Sequence, residues 1–313
     1  MQTVVLCPGQ GAQAIGMAKS WCETNAQARS TFEVADAIFK QGPHASTLSE
    51  LAWNGPAGVL HRTDVSQPAL YTAGVACARA LGIESFGSIL AIAGLSLGEY
   101  TALHLAGAFT FEDGLRLVIE RGRLMQSAAE ASKGGMIALI GADEASAQAV
   151  CEAASEGEVL VPANYNAPGQ IVLSGHASAC ERANTVASEK GLRAAMLTVA
   201  GAFHSPLMQG AAQGMEQALA QTHFSPLSRE VWSNVTAQPH NNADLDLIRK
   251  RLVEQLVSPV RWSQSCANLI ASLNSRALRE GTIFHELAPG TVLRGLMKRI
   301  DRATEVLSHD QPA

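Results

Sequence analysis

The first hundred residues contain apolar runs of two kinds. Thr3 to Leu6 is a short run rich in β-branched residues that stops at Pro8-Gly9-Gln10-Gly11, and helix-forming sequence resumes near Met17. That order predicts a strand, a tight turn and a helix. Ser66-Gln67-Pro68 opens a second helical stretch, with apolar and small residues from Ala69 to Leu81. Ile89 to Ala93 has no polar position at all, as expected of a strand buried on both faces. It passes through Gly94-Leu95-Ser96-Leu97-Gly98 straight into helical sequence. Alternation of this kind predicts an α/β core around a mainly parallel sheet.

The middle of the chain has a different rhythm. Met136–Ile140, Val159–Pro162, Ile171–Ser174 and Leu192–Val199 read as strands, with helices over Asp143–Ala154 and Ala177–Lys190. The order β-α-β-β-α-β is that of a ferredoxin-like unit. It predicts a small subdomain over 131–199, inserted in a large one formed by 1–130 and 200–313. Helices near 206–221, 245–256 and 291–300 and an apolar stretch at Val231-Trp232 complete the large unit, and residues after Leu307 read as a frayed end.

Composition narrows the classes. Of 313 residues, 47% are hydrophobic, 16% charged and only 5% aromatic, which suits helices packed closely on a sheet better than a β-sandwich. A net charge of −5 gives no general attraction to nucleic acid or anionic lipid. Cys7, Cys22, Cys77, Cys151, Cys180 and Cys266 include no C-x-x-C pair, so they read as small core residues rather than a disulfide framework or a zinc site. The start Met1-Gln2-Thr3-Val4 lacks a signal-peptide pattern, and no apolar run reaches spanning length. The expectation is a protein of the cytoplasm, or of an organelle matrix, in which the Asn234-Val235-Thr236 sequon has no meaning.

Three residues stand out chemically. Gly94-x-Ser96-x-Gly98, after a buried strand and before a helix, is the nucleophile-elbow pattern. Small residues allow the sharp turn, and the helix N-terminus offers N–H groups to an oxyanion. The same string also occurs as a plain glycine-rich turn. In the helix that follows Thr110-Phe111-Glu112-Asp113, Arg116, Glu120, Arg123 and Ser127 share a polar face, but Arg121 falls between Leu117, Leu124 and Met125. A guanidinium there must snorkel, pair with a carboxylate, or serve as a fork for a substrate carboxylate. Among nine histidines, His44, His61 and His240 lie in polar, surface-like sequence, and His104 reads as packed inside a helix. His204 follows a strand and precedes the helix start Ser205-Pro206, where a general base is expected. Gly9-Gln10-Gly11-Ala12-Gln13-Ala14 formally fits a dinucleotide fingerprint, but Glu33 and Asp36, the acidic candidates for the ribose, lie in helical sequence.

Seven motifs in register then resemble one family. They are Pro8-Gly9-Gln10-Gly11-Ala12-Gln13, Gln67-Pro68-Ala69, Gly94-Leu95-Ser96-Leu97-Gly98-Glu99-Tyr100, Arg121-Gly122-Arg123-Leu124-Met125, Asn164-Tyr165-Asn166-Ala167-Pro168-Gly169-Gln170, Ala202-Phe203-His204-Ser205 and Pro289-Gly290-Thr291-Val292-Leu293. Together they resemble the malonyl-CoA:acyl carrier protein transacylases and the acyltransferase domains of polyketide synthases, from about Val4 to Ile300. The resemblance implies an α/β-hydrolase-like large subdomain, a ferredoxin-like small one, and a site in the cleft between them. It implies Ser96 as the acylated nucleophile, His204 as its base, Arg121 as partner of the malonyl carboxylate, and the N–H groups of Gln10 and Leu97 as the oxyanion hole. The carbonyl of Gln255, instead of an acid, would orient the imidazole.

Malonyl-CoA would then be a substrate, an acyl carrier protein the partner, with no metal or redox cofactor and a monomeric chain. The alternatives are a hydrolase editing carrier-bound thioesters, and a polyketide-pathway acyltransferase using another acyl-CoA. A degenerate binder of carrier proteins is disfavoured by the joint presence of Ser96, His204 and Arg121. Two positions depart from the pattern. Leu95 stands where the family usually has histidine, and Ala288 where glycine is usual. Lys190, Arg193, Arg294, Lys298 and Arg299 are candidates to meet an acidic carrier, though ordinary solvated charge explains each one singly.

Overall fold

The computed structural model describes residues 2–312 and contains two sheets. In the larger, β1 (Gln2–Cys7), β2 (Ser88–Gly94), β7 (Glu230–Trp232), β8 (Thr282–Glu286) and β9 (Val306–Ser308) run parallel in the order β7-β2-β1-β8-β9. Alternate side chains of β1 and β2 enter separate cores. Val5, Cys7 and Ile92 pack beneath the helices Ala26–Phe39, Thr63–Leu81, Gly98–Leu105 and Phe111–Ser132. Val4, Leu6, Ala91 and Ala93 pack on the opposite face with Trp262–Ser275 and Val292–Ile300. Burial on both faces is why these strands carry no alternating pattern.

The smaller sheet is antiparallel, formed by β3 (Gly134–Ile140), β4 (Leu160–Ala167), β5 (Gln170–His176) and β6 (Arg193–Met196) in the order β4-β5-β3-β6. Ile137 and Leu139 face a core of small residues from the helices Glu144–Ala154 and Ala177–Glu189, while Met136 and Val172 turn to the larger unit. The β-α-β-β-α-β order expected from the pattern is the order observed.

Three expectations are corrected. The second helix starts at Thr63, not at Ser66-Gln67-Pro68, and Pro68 lies inside it. Its first turn is anchored from outside, since Thr63 N–H donates to Gln126 Oε1 at 2.9 Å. The C-terminal segment is not frayed. β9 pairs with β8, Ser308 Oγ donates to the buried Glu286, and Asp310 accepts from Gly290 N–H. Glu286 also accepts from Leu293 and Arg294 N–H, so it caps the helix Val292–Ile300 and fixes it beside the sheet. Finally, His240 is buried: its N–H donates to Val231 C=O, which folds the segment back along β7.

Among the described residues no helix is long and apolar enough to cross a membrane.

Candidate active site

The strand order reverses at β1, and the loops leaving β1, β2 and β8 open on one edge of the sheet. That edge is where parallel sheets hold ligands. A cleft of about 380 Å³ lies there, lined by Gln10, Leu95, Ser96, His204 and Leu293, among others, with Asn164, Gln170 and Val172 of the small sheet across from them.

Backbone contact makes the elbow. A Cβ on Gly94 would collide with the Gly98 carbonyl, one on Gly98 with the Cys7 carbonyl, and one on Gly9 with the Leu95 carbonyl. Leu95 N–H donates to Cys7 C=O at 3.1 Å, which ties the first glycine turn to the second. Ser96 sits between with φ +51°, a left-handed conformation that costs a non-glycine residue roughly 1–2 kcal/mol. Asn234 holds it there. Its Oδ1 accepts from Ser96 N–H at 2.6 Å and its Nδ2 donates to Gly94 C=O at 2.7 Å. The amide of the Asn234 sequon is thus committed inside the protein. The N–H groups of Gln10 and Leu97 donate no hydrogen bond within the described residues, and Leu97 caps the helix Gly98–Leu105.

His204 also has a left-handed backbone, φ +56°, just before the turn Pro206–Met208 that leads into the helix Gln209–Gln221. Its Nδ1 lies 2.7 Å from Gln255 C=O and its Nε2 lies 2.9 Å from Ser96 Oγ. A carbonyl can only accept, so Nδ1 carries the proton and Nε2 presents a lone pair to the serine hydroxyl. Burial, reinforced by the Arg121 charge, lowers the His204 pKa to about 4, against a smaller opposing effect of the Gln255 bond. The imidazole is therefore neutral at physiological pH.

Arg121 is 1% exposed, which removes the snorkelling alternative. None of the described carboxylates lies within ion-pair distance, which removes the structural salt bridge. Its NH1 donates to Gln67 Oε1 at 2.8 Å, and NH2 donates to Gln255 Oε1 at 2.9 Å and Ser96 Oγ at 3.2 Å. The guanidinium also lies over the Tyr100 ring, 5.4 Å from its centroid. All its hydrogen-bond acceptors are neutral, and burial pulls its pKa down. A permanent cation held this way beside a hydroxyl is prepared for an anion from outside.

The structure thus joins Ser96, His204, Arg121 and Gln255 in one hydrogen-bonded cluster, with Leu97 next to Ser96 in the chain and Gln10 lining the same cleft as Ser96 and His204. The sequence alone gives no site role to Glu99 or Asn234, places His240 at the surface, and marks Gln67 only as part of a motif. Glu99 gave one signal, a charge next to the elbow in otherwise apolar helical sequence. Asn234 and Gln67 gave none of their own, because amides partner residues far away in the chain. Leu95 lines the cleft, and Ala288 is buried with its N–H on Cys77 Sγ at 3.4 Å. Lys190, Arg193, Arg294, Lys298 and Arg299 are all exposed, the last three on the helix whose Leu293 and Leu296 line the cleft.

A family model described as the acyl transferase domain matches residues 4–295. The chain belongs to that family. Within it, the chain is 38% identical over 300 residues to the malonyl CoA-acyl carrier protein transacylase of Escherichia coli (strain K12), covering 96% of this chain and 93% of the relative. Among solved structures, the transacylase of the same name from Coxiella burnetii superimposes with a TM-score of 0.90 at 36% identity, covering 99% of this chain and 94% of that one. A malonyl-transacylase solved in complex with a holo type II PKS acyl-carrier protein superimposes with a TM-score of 0.91 at 32% identity, covering 100% and 97%. The acyl transferase fold is therefore shared over its whole length, both sheets included.

Proposed function

We propose that this acyl transferase carries a malonyl group on Ser96 Oγ from coenzyme A to the phosphopantetheine thiol of an acyl carrier protein in the cytoplasm. The observation that carries the reading is the cationic Arg121, without an ion-pair partner among the described residues, 3.2 Å from a hydroxyl that also faces a neutral imidazole. The relatives' names, malonyl CoA-acyl carrier protein transacylase, supply the same acyl group and acceptor.

In the first half-reaction His204 Nε2 takes the Ser96 proton as Oγ bonds to the thioester carbon. The carbonyl oxygen gains charge between the N–H groups of Gln10 and Leu97, which are engaged by no other acceptor among the described residues. The C–S bond then breaks and the imidazolium returns the proton to the coenzyme A sulfur, leaving a malonyl ester. In the second half the carrier thiol gives its proton to His204 and attacks the ester carbon. Oγ leaves and is reprotonated. Arg121 holds the malonyl carboxylate throughout with its planar fork. Side chains and backbone supply every proton and charge in this sequence, so no metal or redox cofactor has a part. The exposed Arg294, Lys298 and Arg299 beside the cleft suit an acidic carrier.

Intact-protein mass measurement after brief incubation with malonyl-CoA tests this. The expected result is one malonyl-sized adduct that disappears when holo carrier protein is added. Steady coenzyme A release without an adduct or an acceptor would replace the transferase by a hydrolase.

The acidity of His204 gives a second test. Because its pKa lies near 4 instead of 6.5, the base stays unprotonated well below neutrality. The rate of Ser96 acylation at low malonyl-CoA is expected to stay flat from about pH 7 to pH 5 and to fall only nearer pH 4. A limb centred near 6.5 would contradict the buried, neutral imidazole. The same shift makes the folded state bind fewer protons than the unfolded one. Stability is therefore fully present above about 6.5 and is lost as pH falls towards 4.

A further inference from the structure

Behind the cleft lies a second buried charge that the acyl transfer steps do not use. Glu99 is 1% exposed, on the helix that leaves the elbow. Its Oε2 accepts from Gln255 Nε2 at 2.6 Å and from Asn234 N–H at 3.1 Å, and its Oε1 accepts from His240 Nε2 at 2.7 Å. Each of the first two partners reaches the reacting groups. Gln255 gives its backbone carbonyl to His204 and its Oε1 to Arg121, and its Nε2 also donates to Ser96 C=O at 3.1 Å. Asn234 bolts the elbow through Ser96 N–H and Gly94 C=O.

We propose that Glu99, steadied by His240, is a positioning residue for acyl selectivity: it fixes the Gln255 amide so that its oxygen faces Arg121. An amide can present either its oxygen or its nitrogen, and the two ends differ little in shape. A carboxylate only accepts, so Glu99 selects the nitrogen end. The oxygen end is thereby left for the guanidinium, which only donates. A negative charge on one side and a positive charge on the other thus polarise one amide between them. Glu99 stays out of contact with the guanidinium, so Arg121 remains free of an internal ion pair and open to the substrate carboxylate. A carboxylate placed directly on Arg121 would satisfy it and compete with malonyl. The amide between the charges keeps the cation oriented without quenching it.

This inference rests on the carboxylate-binding role of Arg121, and the test separates the two. Glu99→Gln keeps size and polarity but offers donors as well as acceptors, so the orientation of Gln255 is no longer dictated. The kcat/KM of Ser96 acylation by malonyl-CoA is expected to fall roughly 10–100-fold, a range typical of partners that orient a functional group. Most of that loss should appear in KM. Acylation by acetyl-CoA, which presents no carboxylate to Arg121, should fall less than about 5-fold, because the His204 contact is to backbone. His240→Gln, which removes the imidazole that steadies Glu99 and leaves the carboxylate in place, should shift the ratio of the two donors in the same direction by a smaller factor. It carries the test if Glu99→Gln does not fold. Lowered thermal stability with an unchanged malonyl-to-acetyl ratio in both variants would overturn the positioning role. If the unsubstituted protein itself shows no malonyl preference, the reading of Arg121 fails and the present one falls with it.

Discussion

Ser96→Ala is expected to take no adduct from malonyl-CoA and to lose transfer to the carrier by at least about 10⁴-fold, the scale on which removal of a catalytic nucleophile acts. The loss should be confined to chemistry. Alanine keeps the Cβ that the left-handed turn already accommodates, and the Asn234 and Gly94 bonds that hold the elbow involve backbone. What disappears is the donor to His204 Nε2 and one acceptor for Arg121 NH2, which still has Gln255 Oε1 at 2.9 Å. Binding of malonyl-CoA should therefore survive, and the melting temperature should move by only a few degrees. Calorimetric titration alongside the mass measurement checks both halves. Normal transfer by the variant would eliminate a serine ester, whereas loss of binding together with chemistry would mean that the substitution had disturbed the elbow itself.

The parts of this site that were legible in the sequence are those that break a local rule. Ser96 is flanked by glycines where a strand turns into a helix, and Arg121 sits on the apolar side of an amphipathic helix. His204 stands at a loop after a strand. Each is anomalous within a window of a few residues, so each could be seen without a fold. Gln255 could not. Its contribution to His204 is a backbone carbonyl, which every residue possesses, and only the resemblance to the transacylases pointed to it. Gln67 and Asn234 act through partners in other elements, and amides carry no charge pattern to betray them; Glu99 shows only as a charge beside the elbow. His240 was misread for a physical reason. Gln238, Asn241 and Asn242 around it are polar, but the segment folds back on β7 and carries the imidazole inward to Glu99. The C-terminal strand was missed because Val306–Ser308 is three residues long, and its stability comes from β8 and Glu286 rather than from its own pattern. The small sheet and the strands β1 and β2 are legible for the opposite reason, since buried runs and small-residue helices extend over many positions, whereas β8 (Thr282–Glu286), with Thr282, His285 and Glu286 among its five residues, gives no such run.

Arg121→Ala is expected to act in opposite directions on two donors. With malonyl-CoA the fork is lost, and a carboxylate must enter a cavity lined by the oxygens of Gln67 and Gln255, which only repel it. Loss of a buried, charge-assisted bidentate contact is worth roughly 3–5 kcal/mol, or about 10²–10⁴-fold in kcat/KM. With acetyl-CoA no such contact exists to lose. The guanidinium instead works against that reaction, because its charge adds to burial in holding the His204 pKa near 4. Removing it lets the imidazole move back up towards 6.5 and makes it a stronger base for the Ser96 proton. Acetyl transfer should therefore be retained or rise, and the acid limb of its pH profile should move upward towards neutrality. The two readouts have one cause, so they must move together. Equal losses with both donors would show that Arg121 serves the elbow and not the acyl carboxylate. A reversed donor preference with an unmoved pH limb would show that the charge reaches the substrate but not the base. In the unsubstituted site, a malonyl carboxylate held by Arg121 would offset that charge in the same way, leaving burial as the main influence that holds the His204 pKa down. The preferred acyl group would in this way strengthen the base that its own transfer requires, and acetyl, lacking the carboxylate, would leave the imidazole at its weakest.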